Sequence, residues 1–156
     1  MANFYTDNSR TPNTYGYYTS LKEVPQRSKG DENNIATESY AVDALSFAEA
    51  EQRITQEMEP YCSGEFYVKK IAIAPYAEVF FSEDEDDDKF FRATVAMILL
   101  DERTGKEKKD NVNYLVQAEN IETARRYVVD AFLNTQIDYE INRLVEAKIL
   151  DAFEKK

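Results

Sequence analysis

The sequence predicts an α+β protein made of a duplicated ββαβ unit, an antiparallel sheet with two helices packed on one face and related by a pseudo-twofold axis. Three observations carry that expectation. Two capped stretches, Ser46 to about Glu59 and Asn120 to about Phe132, repeat apolar residues three or four apart. The segments around them alternate at period two, most strongly Lys89 to Asp101. The two stretches also align with each other, flanks included.

In chain order, residues 1–34 read as an amino-terminal arm: loose over 1–14, a candidate strand over about 15–24, and a polar loop over 25–34. Residues 35–153 read as a single α+β domain of two repeats, about 36–81 and 89–153. Ala36 to Ala44 reads as a strand with Tyr40, Val42 and Ala44 facing inward. Ser46 followed by Glu49 is a capping box, so a helix starts there. Its apolar stripe is Phe47, Ala50, Ile54 and Met58, with Glu49 and Arg53 spaced to pair on the wet side. Pro60 and Gly64 stop it.

Glu65 to Phe81 is β-rich and interrupted at Pro75. The six acids Glu83 to Asp88 repel one another, which predicts a solvated loop. Lys89 to Asp101 places Phe91, Ala93, Val95, Met97 and Leu99 on one face, and its other face is nearly as apolar, so the strand is expected to be central. Asp101 to Gly105 supplies a hairpin turn. The return strand carries Val112, Tyr114, Val116 and Ala118 inward. Asn120 caps the second helix, whose stripe is Ile121, Ala124, Val128 and Ala131 or Phe132, with Glu122 and Arg126 outside. A last β-rich segment spans about Ile137 to Ala147, ahead of a charged tail.

The repeat is visible residue by residue. Tyr40 to Ala50 faces Tyr114 to Ala124 without a gap. One deletion later Glu65 to Ile71 faces Asp138 to Leu144, and beyond that Ala74 meets Ala147 and Phe80 meets Phe153. Both post-helix segments break alternation in the same way: Phe66 and Val68 are followed by Ile71, and Tyr139 and Ile141 by Leu144. That slip predicts a β-bulge at Lys69-Lys70 and another at Asn142-Arg143.

Composition narrows the functional classes. The 156 residues hold 30 acidic and 19 basic side chains, a formal charge of −11, which disfavours non-specific attraction to nucleic acid or anionic membrane. The longest apolar run, Val95 to Leu100, is far shorter than the roughly 18 residues of a spanning helix. One cysteine, Cys62, fits a reducing, cytoplasmic setting. No histidine is present, which removes the usual general base and the commonest metal ligand. With 4 glycines there is no phosphate-binding loop. The sequence therefore predicts a protein that is not an enzyme, with no catalytic residues, no metal site and no cofactor.

Two kinds of partner remain. A single-stranded nucleic-acid surface would use Lys69, Lys70, Arg92, Arg103, Lys106, Lys108 and Lys109, with Tyr67, Tyr76 and Phe90 as stacking platforms. The simpler reading of the hairpin lysines is a charged turn that protects sheet edges, because Glu107 and Asp110 interrupt them. A sheet with two apolar faces and helices on one invites a protein partner, a second copy of the chain included.

The stretch Thr37-Glu-Ser-Tyr-Ala-Val-Asp-Ala-Leu-Ser-Phe-Ala-Glu-Ala-Glu51 resembles the signature of an uncharacterised family of small proteins of Bacteroidota and their bacteriophages, a domain of unknown function. Asp101 to Lys109, Tyr114 to Ala118 and Asp138 to Ile141 extend the resemblance, which spans most of residues 36–153. It implies a bacterial or phage cytoplasmic setting and carries no activity or site residues. The resulting expectation is a non-catalytic interaction module, with single-stranded nucleic-acid binding as the alternative.

Overall fold

The structure, a computed structural model, describes residues 17–28, 31–61 and 66–154. The expected loose arm over 1–14, Cys62 and Gly64 lie outside them. Strands are β1 (Tyr17–Ser28), β2 (Asp31–Asp43), β3 (Tyr67–Ile73), β4 (Glu78–Phe80), β5 (Lys89–Leu100), β6 (Glu107–Ala118), β7 (Asp138–Ala147) and β8 (Asp151–Phe153). Helices are α1 (Phe47–Met58), extended by a 3-10 turn over Glu59–Tyr61, and α2 (Ile121–Phe132). The protein is α+β, with mostly sheet and two helices.

The strands form two four-stranded sheets, ordered β3-β1-β2-β8 and β4-β6-β5-β7, where one antiparallel sheet was expected. The reason lies in the crossovers. Each helix carries the chain back over its own hairpin, so β3 lands antiparallel beside β1 and β7 antiparallel beside β5. Both edges of β1 and of β5 are thereby filled. The outer edges of β2 and β6 are taken by the short strands β8 and β4, which pair parallel to them. The chain accordingly makes two compact units, one from Tyr76–Ala147 and the other from the described residues up to Pro75 together with 148–154.

In the first unit, built on β1, β2, β3 and β8, the expected loop over 25–34 is largely paired strand. Pro25 lies opposite Ile35, beyond the Tyr18–Glu23 span where β3 also pairs with β1. Its missing N–H therefore costs no ladder bond on that side. The Ser46 Oγ accepts from the Glu49 N–H at 3.1 Å, and the Glu49 carboxylate reaches back to the Leu45 N–H at 3.0 Å. Ala50, Ile54 and Met58 are buried against Tyr40, Val42 and the partly buried Phe66, Val68 and Ile71. Burying Ile54 alone contributes about 1.5–3 kcal/mol. Phe153 of β8 stacks on Tyr40 at 5.7 Å.

In the second unit, Asn120 caps α2 by accepting from the Thr123 N–H at 2.8 Å. Ala124, Tyr127, Val128 and Phe132 then pack on Phe91, Ala93, Val95, Tyr114, Val116 and Ala118. An aromatic chain ties the layers together: Phe80 stacks on Tyr114, Tyr114 meets the edge of Phe132, and Phe132 stacks on Tyr139 at 4.6 Å. Strand β5 is central, as expected, and Gly105 closes the β5–β6 turn at φ 67°. The β1–β3 ladder slips at Lys69 and the β5–β7 ladder at Asn142, where the broken alternation predicts bulges.

One expectation about the stripes is corrected. Phe47 and Ile121, each the first residue of its helix, are 50% and 48% exposed. Side chains on a helix lean toward its amino terminus, so a first-turn residue overhangs the core its followers cover.

Candidate functional site: a groove between helix α2 and edge strand β7

The residues expected to bind nucleic acid are divided between the two units. Tyr67, Lys69 and Lys70 are exposed on β3, in the first unit. Arg92, Arg103, Lys106, Lys108 and Lys109 belong to the second unit. Phe90 is 2% exposed and Tyr76 is also buried, so neither ring offers a face to a base. Phe90 sits at the start of β5 between Gln117 and Ala147, on the side of the sheet away from α2, where Ala96 and Leu115 are buried too. Burial pushes the Tyr76 phenol above its usual pKa, and the half-buried Arg92 offsets part of that rise.

The hairpin cluster is real but diluted. Lys109 Nζ lies 3.3 Å from the Glu140 carboxylate, both exposed. The Arg103 N–H donates to Asp101 across the turn. Arg103, Lys106 and Lys108 are exposed among Glu102, Glu107 and Asp110, with Leu99 and Leu100 as the exposed apolar neighbours and no aromatic ring at the tip.

The acidic run is a built loop at one end. Asp87 is 3% exposed and accepts from the Glu119 N–H at 2.8 Å, from the Tyr127 hydroxyl at 2.6 Å and from the Ser82 hydroxyl. Lys89 Nζ donates to the Glu119 carbonyl at 3.1 Å and closes the loop's exit. Only Asp87 turns inward; the other five acids are exposed, as mutual repulsion predicts. Among the described residues no group of three or more His, Cys, Asp or Glu is placed to hold a metal ion.

What the fold does bring together is a groove of about 600 Å³ between α2 and β7. Its helix wall is the stripe Ile121, Arg125 and Val129, with Glu122 beside it. Its strand wall is Tyr139, Ile141 and Leu144, with Asn142 and Arg143 at the bulge. The wall is fixed from behind, because Tyr139, Ile141 and Leu144 pack on the core and Tyr139 is stacked on Phe132. Strand β7 pairs only with β5, so its outer edge carries unpaired backbone N–H and C=O groups among the described residues. Ten residues of edge strand beside a half-apolar trench make a surface suited to holding an extended chain, with no nucleophile and base set against each other.

Sequence reasoning missed this groove. In the sequence Ile121 falls in the apolar stripe of the helix, and nothing singles out Arg125. The signal available was the phase of α2: Ile121, Arg125 and Val129 recur every four residues beside the buried stripe, and Tyr139-Ile141 alternate on the strand that follows.

Fold and surface together define a small α+β protein with two split β-α-β units and a helix-strand groove. The chain belongs to the family described as Domain of unknown function (DUF4494), whose model matches residues 17–155. No curated protein and no solved structure matches it. Among the described residues no helix is long and apolar enough to cross a membrane.

Proposed function

We propose that the chain is a non-catalytic interaction module, a bacterial or phage accessory protein that works in the cytoplasm through protein contacts. The observation that carries this reading is the α2–β7 groove, in which a strand edge unpaired among the described residues lies beside apolar side chains held by the core. The absence of histidine and the charge of −11 support it by weakening the enzymatic and nucleic-acid readings. Capture from the native host, quantified for the parent chain against Ile121→Lys, tests it. A partner held by the parent and lost by the variant supports the reading; identical recovery with both contradicts it.

Duplication of a ββαβ unit is part of the same proposal. Three features support it: the strand orders β3-β1-β2-β8 and β7-β5-β6-β4 correspond, the bulges fall at Lys69 and Asn142, and Tyr40–Val42 and Tyr114–Val116 each carry a short parallel strand ending in Phe153 or Phe80.

Single-stranded nucleic-acid binding is the second reading, favoured by the exposed Tyr67 beside Lys69 and Lys70 on β3. A mobility shift with a labelled single strand at low salt, where phosphate contacts are strongest, decides it. No shift there eliminates it.

A further inference from the structure

We infer that the α2–β7 groove takes an extended, acidic segment of a partner protein, laid along the β7 edge with a carboxylate on Arg125; this rests on the interaction reading above. Three observations lead to that occupant. Among the described residues the outer β7 edge has no strand partner, and strand addition by an extended chain satisfies its backbone groups while alternate side chains drop into the groove. The apolar part of the groove walls, Ile121, Val129, Tyr139, Ile141 and Leu144, suits apolar side chains at every second position.

Charge then selects the remaining positions. Arg125 and Arg143 both border the groove against a single acid, Glu122, in a chain whose overall charge is −11. Neither arginine has an ion-pair partner among the described residues. Arg126, by contrast, lies over the Tyr127 ring at 5.6 Å. The fifth residue of α1 is Glu51, whereas the fifth residue of α2 is Arg125. Helices of equal length, each capped by a side chain at its amino terminus, thus differ in charge at this position, and the cation is found where the groove is. A guanidinium presents paired donors that match a carboxylate, which makes an acidic side chain the complementary group.

The test is selection of a displayed random decapeptide library on the full chain, followed by anisotropy titration of labelled winners. The expected winners alternate apolar residues with Asp or Glu, and their affinity falls at least about ten-fold on Arg125→Glu and returns in part when the acid of the peptide is changed to lysine. Winners that bind Arg125→Glu as well as the parent, or that show no acidic bias, overturn this inference and leave the interaction reading in place. Recovery of no peptide at all contradicts both. A labelled single-stranded oligonucleotide that displaces the winners more strongly than they displace one another, or a dimer of the parent chain that Arg125→Glu dissociates, assigns the groove to a different occupant and overturns it as well.

Discussion

The Tyr127 hydroxyl donates a 2.6 Å hydrogen bond to Oδ2 of Asp87, joining the buried side of α2 to the last inward turn of the acidic loop. Asp87 also receives the Glu119 N–H and the Ser82 hydroxyl, so a carboxylate almost removed from water is held by three donors. Burial, and then the hydrogen bond to Asp87, push the Tyr127 phenol above its usual pKa, so it stays a donor. The loop ahead of β5 is thereby anchored at the point where α2 begins.

Asp87→Ala leaves one buried and two part-buried donors without their acceptor and is expected to cost about 1–3 kcal/mol. Asp86→Ala removes the same charge from the same run at an exposed position, and should stay within about 0.5 kcal/mol of the parent. Urea unfolding of the two variants separates a structural carboxylate from a repulsive one. Equal midpoints would contradict the anchor.

Alkaline pH should weaken the fold through Tyr114. Burial, with the nearby Glu78 carboxylate adding to it, raises that phenol from 10.0 to about 12. The folded chain therefore holds the proton more tightly than the unfolded chain. The stabilisation is fully present below pH 10 and is lost as pH climbs through about 12. Tyr76 and Tyr127 shift in the same direction, so the slope is shared. Tyr114→Phe should flatten the fall in urea midpoint between pH 9 and pH 12, and an unchanged slope would refute this assignment.

Ala50 and Ala124 are fully buried beneath their helices. Ala50→Asp and Ala124→Asp each place an unpaired charge in a core and should cost several kcal/mol. Phe47→Ser and Ile121→Ser, at half-exposed positions, should cost about 1 kcal/mol or less. Thermal melts of the four variants check the helix phase; a parent-like melt for either aspartate variant contradicts it.

Gly105 has φ 67° and open space where a Cβ would sit. Gly105→Ala should therefore cost about 1 kcal/mol from backbone conformation alone, and Gly105→Asn less, because Asn tolerates the left-handed region. Equilibrium unfolding in urea measures both, and an alanine variant as stable as the parent would show that the turn adopts another form.

Local features of the fold were legible because local chemistry sets them. Ser46 and Asn120 cap the helices, Gly105 turns the hairpin, and the slips after Val68 and Ile141 announce the bulges. The two-sheet arrangement was not legible, since it rests on pairings made after each crossover, β3 beside β1 and β7 beside β5, and its outer edges on β4 and β8, three residues each, too short to show a period. Their trace was the match of Phe80 with Phe153, which sequence alignment registers without revealing that each ends a parallel edge strand. Phe90 looks like a stacking platform in the sequence because alternation identifies a face and does not say whether that face is covered. The groove escaped for a related reason: an arginine between Ile121 and Val129 looks like an ordinary wet position until β7 is seen beside it.

The proposed binding surface is the β7 edge together with its groove. Amide hydrogen exchange along residues 138–147, with and without a saturating groove-selected peptide, tests it most directly. β7 amides not bonded to β5 are expected to exchange more slowly with the peptide, and Arg125→Glu to need at least about ten-fold more peptide for the same protection. Protection confined to β3 or to the β5–β6 hairpin, with β7 unaffected, would contradict it.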